Sequence, residues 1–593
     1  MSKGNATTRW GRHLTCLLTG AALALVPAAG PVGAREAVAR ATGARTTGAR
    51  AADARKIGAE MRARKARAPA AGAQEYDIVI RGGRVLDGAG NPWVSADVAI
   101  RDGRIARIGQ VTGKGKREID ARGKYVSPGF IDMMDQSGEV LLRSGAAENK
   151  LRMGVTTLIG GEGGTPVKAS EISGYFAKLQ KQGIAVNFGT YYNAAQARVE
   201  VMGDAAGTPS DAQLDKMRGV VATAMNSGVF GITSALIYAP DSFQSTSDLI
   251  TLAKVAAQCD GFYATHMRDE SAKLLSGIDE AIRIGEESGA KVEIFHLKAA
   301  YAPGWGALMS SALKKIGDAR SRGVDVAADI YPYTASGTGL EVTVPAHVFE
   351  KGTDAAIATM SDPAQRAALK QEVAAGSQPG WSNMVEAAGG WQNVVLANAY
   401  NSGNARFQGK NFVEIGKILG KDPADAAWDI MLEALPERAV ALYFMMQEKD
   451  VEEAIRQPWV SIGSDAASTE KLGGLDGIGL PHPRSYGSFA RVLAHYARER
   501  GVLSLEDAVR KMTSWPAQRM GLTDRGVLRE GLRADVTVFD FDRIADKATW
   551  QNPTEAAVGV DQVIVNGVLT LDGGHHTGAR SGMVLRHACN AKI

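Results

Sequence analysis

Cysteine is nearly absent from this chain, with three in 593 residues, which is too few for a disulfide framework. Cys16 falls in an N-terminal segment expected to be removed, leaving Cys259 and Cys589; a domain this large does not need bridges to survive export. Histidine is also scarce, at nine residues, so any two in equivalent positions carry information. The longest apolar run, "LTCLLTGAALALVPAAG", is short and broken by Gly and Pro, unlike the roughly 20 apolar residues of a membrane span. With Arg9, Arg12 and His13 before it and "GPVGA" after it, that run reads as a secretory signal peptide over residues 1–34, and the mature chain is expected to be secreted or periplasmic without a stable membrane span.

Excess charge of one sign is confined to the leader. Residues 1–75 hold 13 Lys+Arg against 4 Asp+Glu, a net of +9 in a chain of net +4, which leaves −5 for the remainder. The basic character therefore belongs to a solvated tail, and no nucleic-acid partner is expected. Residues 35–75 are mostly Ala, Arg, Gly, Thr and Lys, with too little apolar surface to offset ordering, and read as a linker. The chain as a whole is 45% hydrophobic and 22% charged, ordinary for a folded globular protein.

From Tyr76 the texture becomes short strands with period-two alternation, as in "YDIVIRGGRVLDGAG", and it returns near the end in "ADVTVFDFDRI" and "QVIVNGVLTLDGG". The two ends, 76–128 and 526–593, are expected to build one small β-sandwich domain. Between them, buried runs such as "VTTLIGG", "GFYATH", "KVEIFH" and "WVSIGSD" alternate with amphipathic stretches such as "LLSGIDEAIRIGEESG". That alternation predicts an α/β fold, a TIM-like (β/α)8 barrel over 129–525, with a helical insertion over about 341–456.

Barrel chemistry sits at the C-terminal strand ends, and several apolar runs close on a polar residue there. His266 closes "GFYATH", His296 closes "KVEIFH", Asp465 closes "VSIGSD" and Glu162 follows "TTLIGG". The two histidines stand one βα unit apart, so neighbouring strands would present them at one height. Two imidazoles and the Glu162 carboxylate make an open three-ligand site, with one Zn2+ per chain expected, whose bound water would become acidic near pH 7. Asp465 suits a general acid/base. Lys298, two residues after His296, together with Tyr331 and Arg484, would grip the carboxylate of a small-molecule substrate.

These residues, in order, are familiar. "YATHMRDES", "EIFHLKAA", "DVAADIYPYTASGTG", "SIGSD", "HPRSYGSFARVLAHYARERGVLSLEDAVRKMTSWPAQRMGL" and "VIVNGV" resemble the N-acyl-D-amino-acid deacylases (D-aminoacylases) of the amidohydrolase superfamily, from about Tyr76 to Arg586. The resemblance implies a zinc-dependent barrel that hydrolyses N-acyl-D-amino acids, with His266 and His296 as zinc ligands, Asp465 as acid/base, and Lys298, Tyr331 and Arg484 on the substrate carboxylate. The stretch "GFIDMMDQSG" departs from it: Met134 and Gln136 stand where the family places an H-x-H pair. "GGEGG" puts Gly163 where the family has a metal-binding cysteine, with Glu162 beside it. The pattern therefore reads as a variant with an emptied second metal site, where Asp135 retains an oxygen to offer. Two other readings share the scaffold: a non-hydrolytic lyase or cyclase, and a catalytically silent binding protein. The sequence sets no oligomeric state.

Overall fold

The computed structural model describes residues 75–378, 380–469 and 480–589. The expected signal peptide and all of the expected linker but Glu75 lie outside the described residues. Both ends of the described chain meet in one nine-stranded mixed sheet. Tyr76–Val85 pairs antiparallel with Val94–Arg101 and parallel with Gly115–Asp120 and Tyr125–Pro128. Tyr125–Pro128 then pairs antiparallel with Val536–Phe539, the junction of the two ends. Alternation along these strands turns Ile78, Ile80, Val98, Ile100, Val126, Val536 and Ile564 into a shared apolar core. Val94–Arg101 and Arg104–Gly109 are joined by Asp102 and Gly103, both at positive φ (51° and 74°), the two-residue turn whose twist matches a hairpin.

Eight parallel strands form the barrel: β1 Phe130–Asp135, β2 Val155–Gly160, β3 Asn187–Thr190, β4 Gly231–Ala235, β5 Phe262–His266, β6 Lys291–Ile294, β7 Val326–Ile330 and β8 Val460–Ile462. β3 pairs with β2, and its continuation Tyr192–Asn193 pairs with β4. The ring closes just past β1 and β8, where Asp465 N–H donates to Met134 O at 2.8 Å and Gln136 N–H to Ala466 O at 3.2 Å. Strands covered on both faces are buried at every residue, as β1, β2, β4 and β5 are, so they lack the alternation of a half-exposed strand, and their polar residues, such as Asp132 and Thr157, are buried too.

Helix Leu274–Ser288 shows how a flanking helix sets strand position. It buries Leu274, Ile278, Ala281 and Ile282 at helical spacing. Gly285 lies so close to β6 that a Cβ there would sit 2.4 Å from Val292 Cγ2. The helix thus packs tightly on the strand that leads to His296.

The long excursion after β7 holds helices, as expected, and also a three-stranded antiparallel sheet of Ser336–Gly339, Val440–Tyr443 and Val394–Asn398. Its separate apolar cluster surrounds Trp428, whose Nε1 donates to Thr343 Oγ1 at 3.1 Å. Cys259 and Cys589 form a disulfide across 330 residues of sequence. The sparse cysteine content gave no indication of it, because only the barrel brings the two together.

Candidate metal centre and active site

The loop after β2 turns through Gly161, at φ 103°, and delivers Glu162 over the barrel mouth. There Glu162 Oε1 lies 3.0 Å from His266 Nδ1 at the end of β5 and 3.1 Å from His296 Nε2 just past β6. The imidazole rings meet edge to face with centroids 4.5 Å apart. His296 holds a left-handed backbone, φ 36°, which is costly outside glycine. Its N–H is fixed by Asp329 Oδ1 at 2.8 Å. Asp329 is pushed well above the usual carboxylate range, chiefly by burial and then by the nearby Glu293 charge.

A second carboxylate, which the sequence pattern did not single out, completes the arrangement. Glu270 lies on the far side of both rings, with Oε2 3.2 Å from His266 Nε2 and Oε1 3.0 Å from His296 Nδ1. Each imidazole therefore gives one nitrogen to Glu162 and turns the other toward Glu270, and His296 Nδ1 is also hydrogen-bonded by Lys298 Nζ at 2.6 Å. The signal of Glu270 in the sequence is the four-residue step from His266 in "HMRDE".

The electrostatics follow from two buried carboxylates around two rings. Burial alone would raise Glu162, but hydrogen bonds from His266 and His296 outweigh it and hold it well below its ordinary value. Burial opposes charge on His266, yet the Glu270 and Glu162 carboxylates raise it to about 9. Such a site calls for positive charge, and a cation suits it. Glu162, His266 and His296 each offer a ligand atom within 4.8 Å of the others. His266 Nε2 and Glu270 Oε1 are buried and make no aligned hydrogen bond among the described residues. This donor set fits a divalent metal.

Asp465 stands at the same mouth, also left-handed at φ 49°. Gln136 bridges the two acids, with Nε2 donating to Glu162 Oε2 at 2.5 Å and to Asp465 Oδ1 at 3.2 Å. Arg484 Nη1 pairs with Asp465 Oδ2 at 2.7 Å, and the guanidinium lies 4.6 Å from the centre of the Tyr331 ring. Lys298 Nζ reaches Glu270 Oε2 at 2.7 Å and lies 5.8 Å from the same ring. Tyr331 is almost wholly buried and its hydroxyl faces Met446 Sδ at 3.8 Å. Lys298, Tyr331 and Arg484 are thus gathered on one side of the mouth.

Asp135 does not join them. Its Oδ1 accepts from Ser137 N–H at 2.6 Å, and its Oδ2 accepts from Ser137 Oγ at 2.8 Å and pairs with Lys150 Nζ at 2.8 Å. The oxygen expected to remain for a cation is engaged by a lysine instead. Met134 packs in the apolar barrel interior with Ile131, Ile159 and Phe295. At Gly163, which lines the cavity, a Cβ would meet nothing within 4 Å. One cavity of about 560 Å³ joins Gln136, Glu162, His266, His296, Asp465 and Arg484 to the inserted segment.

The Amidohydrolase family model matches residues 117–571. The N-acyl-D-glutamate deacylase of Alcaligenes xylosoxydans xylosoxydans is 32% identical over 515 residues, 83% of this chain and 93% of that protein. D-aminoacylase from the same organism is 32% identical over 540 residues, 86% of this chain and 98% of that protein. The crystal structure of N-acyl-D-glutamate deacylase from Bordetella bronchiseptica, complexed with zinc and a phosphonate mimic of the tetrahedral intermediate, is similar at TM-score 0.72 and 30% identity, covering 86% of this chain and all of that one.

A D-aminoacylase structure of 30% identity and TM-score 0.71, covering 86% of this chain and 100% of that one, corrects the expected cofactor. Its metal centre is binuclear, with one-metal activation and second-metal attenuation. The expectation of a single Zn2+ per chain is therefore overturned. It rested on the missing H-x-H pair, and missing ligands at two positions do not count the ions that the remaining donors recruit.

With the family model spanning the whole barrel and the relatives covered over nearly their whole length, the chain belongs to the amidohydrolase superfamily, in its D-aminoacylase and N-acyl-D-amino-acid deacylase family of metal-dependent enzymes acting on non-peptide C–N bonds.

Proposed function

We propose that this enzyme hydrolyses the amide of an N-acyl-D-amino acid, giving a carboxylate and a free D-amino acid. The observation that carries the reading is the joining of Glu162, His266 and His296 with Asp465 and Arg484 around one cavity. The choice of D enantiomer and of an acylated amino acid follows the relatives, which are an N-acyl-D-glutamate deacylase and a D-aminoacylase.

Glu162, His266 and His296 would hold the metal, which when bound supplies Lewis acidity to the amide carbonyl and makes water a stronger acid. Asp465 takes the water proton and returns it to the departing nitrogen, as general base and then general acid. Gln136, hydrogen-bonded to both Glu162 and Asp465, keeps the two carboxylates in register. Lys298 and Arg484, which line the cavity, hold the substrate carboxylate, and the buried Tyr331 ring packs against both cations. Arg484 Nε is buried without a hydrogen-bond partner among the described residues, and so has a donor to give.

The test pairs metal analysis with N-acetyl-D- and N-acetyl-L-amino acid hydrolysis. Glu162→Ala is expected to lose bound metal. Asp465→Asn is expected to keep its metal while turnover falls by about 10²–10⁴, the range for removing a positioned acid/base. Normal turnover by a metal-free preparation would overturn the mechanism.

A further inference from the structure

The geometry points to a large apolar acyl group, well beyond acetyl, as the leaving carboxylate of this reaction; the inference rests on the amide-hydrolase reading above. Position around the barrel gives the argument. The carboxylate-holding residues come from one sector: Lys298 follows β6 and Arg484 follows β8, with the Tyr331 ring after β7 packed against both. The cavity also extends from the metal-ligand cluster to the other side, along helix Ala194–Met202 after β3 and the loop after β4, where Val199 and Ile237 line it. These sectors are opposite one another in an eight-strand ring. A substrate anchored by its carboxylate near β7 and β8, with its carbonyl over Glu162, His266 and His296, must send its acyl chain toward β3 and β4.

Most of the cavity surface is apolar, and in this lobe Val342, Val344 and Phe349 of the inserted segment line it together with Val199, Ile237 and Pro240, beside the polar Gln196, Asp204, Asp241 and Thr353. Its two bordering arginines are already paired: Arg268 Nη2 lies 2.9 Å from Glu280 Oε1, and Arg438 Nε donates to Glu341 Oε1 at 2.8 Å. Tyr238 marks the entrance, with its ring 5.3 Å from that of His266 and its hydroxyl 2.7 Å from Thr338 Oγ1. Size agrees with chemistry, since the whole cavity is about 560 Å³, within the roughly 300–1,000 Å³ of sites for drug-sized ligands. An N-acetyl amino acid would leave most of the apolar lobe wet.

The experiment compares N-acetyl-D-leucine with N-decanoyl-D-leucine, which differ only in the acyl chain, on the metal-loaded enzyme. The kcat/KM for the decanoyl compound is expected to exceed that for the acetyl compound by at least about tenfold, since even one methylene in a fitted apolar pocket is worth about that much. Phe349→Glu, placed in the lobe away from the metal ligands, should cut the decanoyl value by about tenfold and leave the acetyl value within about twofold. Equal or better hydrolysis of the acetyl compound would overturn the inference.

Calorimetric binding of both compounds separates this inference from its parent reading. If neither is hydrolysed but decanoyl binds at least about tenfold tighter, and Phe349→Glu abolishes the difference, the lobe stands and amide hydrolysis falls. Equal binding of the two compounds would sink the lobe whatever the turnover.

Discussion

Lys298 Nζ donates to Glu270 Oε2 at 2.7 Å, and both side chains are only 2% exposed. Glu270 therefore holds Lys298 beside the substrate sector while its carboxylate also faces the outer nitrogen of each imidazole, at 3.2 and 3.0 Å. A carboxylate in that position places negative charge beside the outer nitrogen of both rings, while His296 Nδ1 is hydrogen-bonded by Lys298 Nζ at 2.6 Å, so Glu270 and the Lys298 that it holds together support the rings that face Glu162.

Removing that charge tests the role. Glu270→Gln is nearly isosteric, yet it no longer offers two anionic oxygens to the rings. Metal affinity is expected to fall by about 10–100-fold, the usual cost of losing an outer partner of a ligating histidine, measured by competition with a chromogenic chelator. Wild-type metal retention in Glu270→Gln would show that the rings are oriented by packing alone.

Lys150 is the second buried charge to test. It is fully buried between two carboxylates, Asp132 and Asp135, each 2.8 Å away. It also donates to Ser464 Oγ and Ala466 O, both at 2.7 Å, on either side of Asp465. Lys150→Met leaves two carboxylates facing one another without a cation. A loss of about 3–5 kcal/mol in denaturant-derived stability is expected, as for breaking a buried ion pair. A loss under about 1 kcal/mol would mean that protonation of one acid suffices.

Residues at strand ends were legible because the barrel repeats: His266 and His296 close consecutive strands 30 residues apart, and β8 leads directly to Asp465. The roles of Glu270 and Gln136 were not: the four-residue step from His266 to Glu270 is only a faint signal, and Gln136 is marked in the sequence only as filling a histidine position, since a linear pattern does not tell an inward-folding polar loop residue from one that stays in water. The three-stranded sheet after β7 was hidden for a related reason, as its strands of four or five residues are too short to outweigh the helical stretches between them. The Cys259–Cys589 contact spans 330 positions, a pairing that only the closed barrel and its C-terminal tail define.

A pH dependence of stability arises from Lys511, in helix Leu505–Met512. Its ammonium is fully buried against the carbonyls of Gln457 and Val460. Burial lowers its pKa from 10.5 to about 8, with the Asp507 charge only partly opposing. A base depressed in the fold contributes stability that is complete above its unfolded pKa and lost as pH falls through the folded one. The wild type should therefore gain up to about 3 kcal/mol relative to Lys511→Met as pH rises from about 7 to 10.5, at about 1.4 kcal/mol per pKa unit. Urea denaturation of both proteins at the two pH values gives the comparison, and parallel curves would contradict it.

The Cys259–Cys589 bridge gives the last prediction, which tests export as well. Disulfides persist in oxidising compartments and are reduced in the bacterial cytosol, so the bridge supports the proposal that the mature chain is secreted or periplasmic. Protein recovered from its native host, denatured and alkylated without reductant, should leave Cys259 and Cys589 unlabelled and begin near residue 35. The C-terminal tail is also pinned by backbone bonds, from Gly582 to Ile184, Leu585 to Phe188 and His587 to Gly228, at 2.8, 2.7 and 2.9 Å. Reduction should therefore lower stability by no more than the roughly 2–5 kcal/mol typical of a lost native disulfide, and leave the barrel folded. Free thiols at both positions in protein from the host would remove the compartment argument, because the pair would then be closed by proximity alone.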